Sequence, residues 1–379
     1  MLAHCMHHLV TALTVPLLPM IRNEFGLDYT RSGVVVSAFS IAYGFSQLPA
    51  GWLADRIGPR ILITVGICGV ALAGFMVGLS QTYIMILVFL ALMGLLGGGY
   101  HPSAPPIISA LVKPEHRGRV LGFHVIGGSS SHFLAPLIAA GIASIWGWRG
   151  SYITMAIPAI AFGIVFYMVM GRQTITQKPE HKTIATPGEA QRTPGHLRRL
   201  ISFIALSSFN SAVVVATISF IPLFLVDHLG IAEEKAAAFI ALIYSAGFYA
   251  APLGGYLSDR FGRVPVILAV CLFSGPVIYL LTLVPYGFGL STLLVAIGTI
   301  MFIRMPVSEA YIVGQTSARN RSTILGIYYF GGLEGSGLLT PVIGYLIDNF
   351  GFYHSFAIAG AALATMTLVC SIFLWGNRD

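Results

Sequence analysis

The chain has 379 residues, of which 56% are hydrophobic and only 9% are charged, and its formal net charge is +7. Soluble globular proteins carry about 25% charged residues, so this composition excludes a soluble protein of this size. Hydropathy instead divides the chain into twelve apolar stretches, each long enough to cross a bilayer core of about 30 Å.

These stretches are predicted to be transmembrane helices, because lipid offers the backbone no partner and the residues do not alternate as barrel strands do. Of the 21 Lys and Arg residues, sixteen lie in the even-numbered loops, the central linker and the C-terminus. The positive-inside rule therefore predicts a multi-pass protein of the inner or plasma membrane with both termini in the cytoplasm. The basic charge reflects this topology, and no nucleic-acid partner is expected. The predicted helices are 2–20, 32–54, 60–79, 83–112, 119–144, 151–171, 200–226, 235–257, 264–285, 289–316, 322–347 and 353–375.

The first predicted helix contains His4-Cys5-Met6-His7-His8, which matches the H-x-x-H-H box of membrane di-iron desaturases. That enzyme class needs several such boxes, and this chain has one. His4 and His8 share a helix face by their i,i+4 spacing. Two interpretations stay open here, since the histidines either line a cavity or lie hydrated at a helix end.

The loop after the second helix, 51–60, recurs 204 residues later at 255–263 as a second G-x-x-x-D-R-x-G motif. The same offset pairs Pro102 with Pro306 and Gly147 with Gly351, so the chain is two copies of one unit. Internal repeats of this kind are typical of membrane transporters.

The duplicated motif resembles the loop signature of the major facilitator superfamily. The resemblance implies an all-α membrane protein with twelve transmembrane helices in two pseudo-symmetric six-helix halves, 1–171 and 200–379, joined by a cytoplasmic linker, 172–199. It also implies that the motif residues latch the halves together on the cytoplasmic side without touching substrate. The latch residues are Gly51, Asp55, Arg56, Gly58, Gly255, Asp259, Arg260 and Gly262.

The fourth predicted helix has a glycine-rich stretch, 94–99, followed by Tyr100-His101 and three prolines. Glycines allow close helix approach, and prolines in mid-membrane suit a helix that lines a cavity. This helix weakly resembles the fosmidomycin-resistance type of facilitator. The fifth helix keeps the proline and the small residues of the family's antiporter signature, which favours export by proton antiport. Ordinary packing of small residues is the alternative.

The tenth and eleventh helices place three charged side chains at membrane depth, Arg304, Glu309 and Glu334. A charged residue there costs at least about 2.5–3.5 kcal/mol, so it normally has a partner or faces a water-filled cavity. Either Arg304 pairs with one of the two acids to hold helices together, or it serves the transported solute. Buried ion pairs stabilise poorly, which favours the second interpretation.

In the superfamily, helices 1, 4, 7 and 10 line the central cavity, and helices 2, 5, 8 and 11 flank it. The resemblance therefore implies substrate-binding residues Arg304, Glu309, His101, Tyr100, Asn210, His4 and His8. It implies proton-coupling residues Glu334, Glu309, His101, His124 and His132, because a buried carboxyl or an imidazole can exchange a proton near neutral pH.

The sequence thus predicts a proton-coupled secondary transporter of a small organic anion, working by alternating access, with efflux favoured over import. Its expected partners are the solute, H+ and the lipid bilayer. A monomer without a cofactor is expected. An enzyme is disfavoured, because the chain has no paired nucleophile and base, no phosphate loop and no complete metal box.

Two other functions stay open. A divalent-metal carrier would use His4, His8 and His101 as ligands, since imidazole suits Fe, Ni, Cu and Zn. Arg304 argues against it, because a cation in the cavity repels metal. A non-transporting membrane sensor or receptor is the alternative of another class, although the near-intact latch motifs matter only if the halves move.

Overall fold

The structure is a computed structural model, and it describes residues 1–113, 116–171, 195–317 and 321–374. All regular structure in these residues is helical, and a short 3-10 turn, Ala246–Phe248, precedes the eleventh α-helix. The helices are α1 (Leu2–Thr11), α2 (Leu18–Phe25), α3 (Tyr29–Ile57), α4 (Pro59–Gly78), α5 (Tyr83–Gly97), α6 (Tyr100–Leu111), α7 (Arg117–Gly171), α8 (His196–Ile218), α9 (Ile221–Asp227), α10 (Glu233–Ser245), α11 (Ala250–Phe261), α12 (Arg263–Leu281), α13 (Phe288–Gln315) and α14 (Arg321–Leu374).

Seven helical stretches of the described residues are long and apolar enough to cross a membrane. An eighth is added if Glu233–Phe248 and Ala250–Phe261, which are bent by 42°, form one span. Two of the seven, within α7 and α14, run for 49 and 52 residues. Each consists of two helices joined at a non-helical glycine, Gly147 or Gly351, and contains enough residues for two crossings of about 20 residues each. Each of the twelve predicted segments falls on one or two of these helices, and the all-α membrane fold is confirmed.

The backbone repeats the 204-residue offset of the sequence. Gly147 (φ 68°, ψ 178°) interrupts α7, and Gly351 (φ 72°, ψ 172°) interrupts α14. Gly58 and Gly262 each have φ 88° at the junction of two helices. L-residues with side chains rarely adopt such a φ, so both copies need glycine at the same places.

Four predicted segments, the first, fourth, seventh and eighth, are each split in two, and the first and fourth breaks have a clear local cause. The interval between Thr11 and Leu18 contains Pro16, which cannot donate a backbone hydrogen bond. The interval between Gly97 and Tyr100 consists of two glycines, which weaken a helix. Broken helices at membrane depth are tolerated where they are buried in protein or line a cavity, as helices around a transport site do.

Two compact units result from the contacts among the described residues. The first comprises the described parts of Met1–Pro179 with Ser219–Tyr244, and the second those of Glu180–Ile218 with Ser245–Asp379. The division into two six-helix halves stays a prediction, and most of its linker, 172–194, lies outside the described residues.

Polar bonds within the first unit explain why Ser219–Tyr244 groups with the N-terminal helices. Arg22 forms an ion pair with Asp227, and the Tyr29 hydroxyl donates to the same carboxylate at 2.7 Å. Asn23 donates to the Glu233 carboxylate. These bonds tie α2 and α3 to α9 and α10.

Candidate functional site

Six histidines, here called the histidine cluster, lie together in the first unit. Because α1 carries three of them at i, i+3 and i+4, they share one helix face. Ring centroids are 4.9 Å apart for His4 and His8, and about 5 Å separates each of these from His101. His4 is 7% exposed and His7 is fully buried, so these two histidines do not lie hydrated at a helix end. The cluster consists of His4, His7, His8, His101, His124 and His132.

Backbone carbonyls fix three of these rings. In each, Nδ1 lies 2.7–2.9 Å from a carbonyl oxygen: His4 from that of residue 124, His7 from that of residue 66 and His132 from that of residue 128. A carbonyl only accepts, so Nδ1 carries the proton and Nε2 presents a lone pair. The cluster therefore directs several unprotonated nitrogens away from the backbone.

Aromatic rings surround the histidine cluster. Tyr100 is fully buried and stacks on His7 with 4.4 Å between ring centroids. The Tyr43 hydroxyl lies 3.3 Å from His7 Nε2, and the Tyr244 ring lies 5.1 Å from that of His132. The Tyr100 hydroxyl has no hydrogen-bond partner among the described residues.

Arg304 of α13 occupies the second unit and is 6% exposed. Its Nη1 donates to the Ser207 carbonyl at 3.1 Å, to the Ser207 hydroxyl at 3.1 Å and to the Tyr328 hydroxyl at 2.9 Å. Its Nη2 donates to the Ser211 hydroxyl at 2.9 Å. Every one of these hydrogen-bond partners is neutral, and the guanidinium forms no salt bridge among the described residues.

The two buried acids do not pair with this guanidinium. Within the described residues, the ion pairs formed do not include Arg304, Glu309 or Glu334. Glu309 is hydrogen-bonded to Tyr329, and its Oε1 has no partner in the described part of the chain. Glu334 is 5% exposed, and its Oε1 is likewise unpartnered there. The structure thus does not form the helix-bracing ion pair that the sequence left open.

Residues of α8 divide between the site and the packing. Asn210 is 1% exposed and donates to Ser274 of α12 at 3.0 Å, so it is not one of the Arg304 partners. Ser208 donates to the Tyr328 carbonyl at 3.2 Å. Asn210 remains a substrate-binding prediction, and the described contacts give it a packing role.

Sequence reasoning missed the side chains that hold Arg304. Ser207 and Ser211 are spaced i,i+4 on the polar face of α8, and that spacing was the available signal. Tyr328 gave no signal of this kind, because an aromatic residue in an apolar span is common in a core. His7 belongs to the H-x-x-H-H box, but the sequence did not assign it to the site.

The duplicated loop motif makes local contacts in the described residues. Arg56 lies over the Trp52 ring with 3.9 Å to its centroid. Arg260 donates to the Tyr256 hydroxyl at 3.2 Å. Asp259 is exposed, like both arginines, and neither arginine forms an ion pair in this part of the chain. Outside the described side chains lie two members of the predicted latch, Gly51 and Asp55.

A family model described as Major Facilitator Superfamily matches residues 1–303 and 204–379. The chain is 23% identical to the hexuronate transporter of Bacillus subtilis (strain 168), over 93% of this chain and 88% of that protein. It is 25% identical to the probable sulfoacetate transporter SauU of Cupriavidus necator, over 94% and 87%. It is 27% identical to the multidrug resistance protein MdtG of Proteus mirabilis, over 93% and 89%.

Solved structures share the fold. A bacterial homolog of the human lysosomal transporter Spinster, in an inward-facing and occupied conformation, matches with a TM-score of 0.80 at 17% identity, over 99% of this chain and 94% of that one. A POT family transporter in complex with 5-aminolevulinic acid matches with a TM-score of 0.82 at 13% identity, over 98% and 94%.

Proposed function

Because the chain belongs to the major facilitator superfamily and is a multi-pass membrane transporter of small organic solutes, we propose that it carries an anionic solute by proton-coupled alternating access. Arg304 is the proposed anion ligand. Beyond the shared fold, we propose the charge of the substrate, the identity of the coupling ion and the residues that bind each of them.

The observation that carries this proposal is the buried Arg304 guanidinium, which has no salt-bridge partner among the described residues. The guanidinium donates four hydrogen bonds to neutral acceptors, which orient it, but none of these acceptors carries a negative charge. Electrostatic attraction strengthens in a low-dielectric interior, and guanidinium matches the geometry of a carboxylate or sulfonate. An anionic solute would supply the missing charge at this position.

The relatives favour the same class of solute. Hexuronate and sulfoacetate, named for two of them, are organic anions. Export is proposed on the partial antiporter signature and on the multidrug resistance proteins among the relatives.

Proton coupling is proposed for the two acids and for the histidine cluster. Glu334 and Glu309 each have a buried carboxylate oxygen without a described partner, which is the state of a group that can accept a proton. His101, His124 and His132 are the proposed carriers of the first unit. The latch role of the Arg56 and Arg260 loops rests on the family motif.

Radiolabelled uptake into proteoliposomes tests the proposal, with glucuronate and sulfoacetate as probes and an imposed pH gradient as the driving force. We expect uptake of at least one probe to collapse when the gradient is dissipated by an uncoupler. We expect Arg304→Ala and Glu334→Gln to reduce that uptake at least tenfold. Arg31→Ala is the control, since its side chain is 63% exposed.

Two results would contradict the proposal. Uptake by both variants equal to that of the wild type at every pH would remove the assigned roles. Absence of uptake, efflux and proton flux across a broader panel of organic anions would favour the sensor alternative.

A further inference from the structure

Three histidines of the cluster present ring nitrogens to one another. One nitrogen from each of His4, His8 and His101 lies within 4.8 Å of the others. We propose that these three residues form a binding site for a divalent transition-metal ion of the Zn2+, Ni2+ and Co2+ class. The proposal does not depend on the anion assignment, because the partners of Arg304 belong to the second compact unit.

The hydrogen bonding of His4 is the strongest argument. Its Nδ1 donates to the carbonyl of His124 at 2.8 Å, so its Nε2 carries a lone pair. His4 is 7% exposed, and Nε2 has no hydrogen-bond partner among the described residues. A buried polar atom without a partner is costly, and a ligand removes that cost. Metal-bound histidines almost always donate the other ring N–H to a carbonyl or carboxylate, as His4 does.

His8 and His101 supply the other two candidate ligand nitrogens. His8 Nδ1 is 3.3 Å from the Thr11 hydroxyl, a long contact that ring rotation can break. His101 has ring-centroid distances of 5.2 Å to His4 and 5.3 Å to His8. His132 lies next to His8, with 4.6 Å between centroids, and its Nδ1 is bound to a carbonyl. Its nitrogens are not among those that lie within 4.8 Å of one another, so it is a neighbour of the site and not one of the three ligands.

The distances are compatible with a metal after a small closure. Tetrahedral zinc with Zn–N bonds of 2.0–2.1 Å sets its nitrogens about 3.4 Å apart, so the triangle must contract. Rotation of the rings about their side-chain bonds supplies that contraction. Three protein nitrogens would leave one position open to water or solute.

Packing holds His4 in the place that the site requires. A Cβ atom at residue 128 would lie 2.6 Å from His4 Cε1 and 2.8 Å from Nε2, so only glycine leaves room for the ring. The donor set selects the ion, because imidazole nitrogens suit Zn, Ni and Co whereas Mg2+ and Ca2+ take oxygen ligands.

Isothermal titration calorimetry of the purified full-length protein, in detergent and without a polyhistidine tag, tests the site with ZnCl2, NiCl2 and CoCl2. We expect one ion per chain, no competition from a hundredfold excess of Mg2+, and visible absorption bands of nitrogen-bound Co2+. His4→Gln and His101→Asn should weaken binding at least tenfold. His354→Ala is the matched control, because that histidine is exposed and lies outside the cluster.

Two further variants separate the site from folding and from transport. Gly128→Ala keeps all six histidines but displaces the His4 ring, so we expect weaker metal binding in a protein that still elutes as a single species. Arg304→Ala should bind metal as the wild type does. Absence of stoichiometric binding in the wild type, or unchanged binding in His4→Gln and His101→Asn, would overturn the proposal. Equal affinity for Mg2+ and Zn2+ would overturn it as well.

Discussion

Replacement of Arg304 by methionine separates a transport role from a structural one. Methionine keeps a long, flexible side chain but removes the charge and all four hydrogen bonds to Ser207, Ser211 and Tyr328. If the guanidinium serves only the solute, its loss should abolish transport and leave the fold at least as stable. If it braces α13 against α8, the fold should weaken as well.

The structure sets the expected magnitude. Hydrogen bonds to a charged group are worth about 1.5–3 kcal/mol when made, but the groups left behind here are not all orphaned. The Ser207 hydroxyl retains Ser308 at 2.7 Å and has Tyr328 at 3.5 Å. Against these losses stands the cost of about 2.5–3.5 kcal/mol for a charge at the centre of a membrane helix. Replacing a buried ion pair by apolar residues of similar volume is often neutral or stabilising by about 1–4 kcal/mol, and a buried charge without an ion-pair partner is costlier still.

We therefore expect the free energy of unfolding of Arg304→Met to be unchanged or raised by up to about 3 kcal/mol, while anion uptake is lost. Unfolding in detergent is followed by intrinsic tryptophan fluorescence, and transport by uptake into proteoliposomes. Arg31→Met is the control, because an exposed substitution should shift stability by less than about 0.5 kcal/mol. A loss of more than about 2 kcal/mol in Arg304→Met would refute the reasoning, since the guanidinium would then be a brace. Wild-type transport would refute it too.

Three further predictions concern other parts of the chain. Tyr328→Phe removes one hydrogen bond to the guanidinium, so KM for the transported anion should rise by up to about tenfold with little change in the melting temperature. Gly58→Ala should lower the free energy of unfolding by about 1 kcal/mol or more because φ there is +88°, whereas Gly141→Ala, with open space around it, should not. Glu24→Gln should reduce stability by at most about 1 kcal/mol at neutral pH. Burial opposes the lowering of the Glu24 pKa, but hydrogen bonds from Arg149 and from an indole N–H outweigh it. Because the folded-state pKa lies below the unfolded one, this stability is present above about pH 4.3 and is lost as pH falls through the folded value. The melting temperatures of the wild type and of Glu24→Gln, measured from pH 7 to pH 3, should therefore converge as the pH falls. A difference that persists in acid would contradict the stabilising role assigned to the Glu24 carboxylate.

Hydropathy and the repeat were enough to predict the helices, because a helix in lipid must satisfy its own backbone. They did not predict that the first, fourth, seventh and eighth segments are broken. Pro16 and the glycines before Tyr100 indicate weak points, but neighbouring helices decide whether such a point bends or breaks.

The candidate sites were predictable only in part. The i,i+4 spacing placed His4 and His8 on one face, and their ring centroids lie 4.9 Å apart. The same spacing in Ser207 and Ser211 could have revealed the groups that hold Arg304. The backbone carbonyls that bind the histidine rings could not be predicted. Their positions depend on tertiary packing, which local sequence patterns do not reveal.

One hydrogen bond occurs in both copies of the repeat. The His4 ring bonds to the carbonyl of residue 124, and the Ser208 hydroxyl bonds to that of Tyr328, at the same 204-residue offset. Tyr100 lies against the rings of residues 7 and 124.

The guanidinium of Arg304, the counterpart of Tyr100 at that offset, bonds to Ser211 and Tyr328, the counterparts of residues 7 and 124. The position occupied by Tyr100 in the first copy and by Arg304 in the second copy therefore differs in charge between the two copies. The N-terminal copy gathers neutral lone pairs, which suit a cation, and the C-terminal copy holds a fixed cation, which suits an anion. Exchange of Tyr100 and Arg304 between the copies, as the double variant Tyr100→Arg and Arg304→Tyr, should abolish both metal binding and anion uptake. If the double variant retained both, the two positions would carry neither specificity.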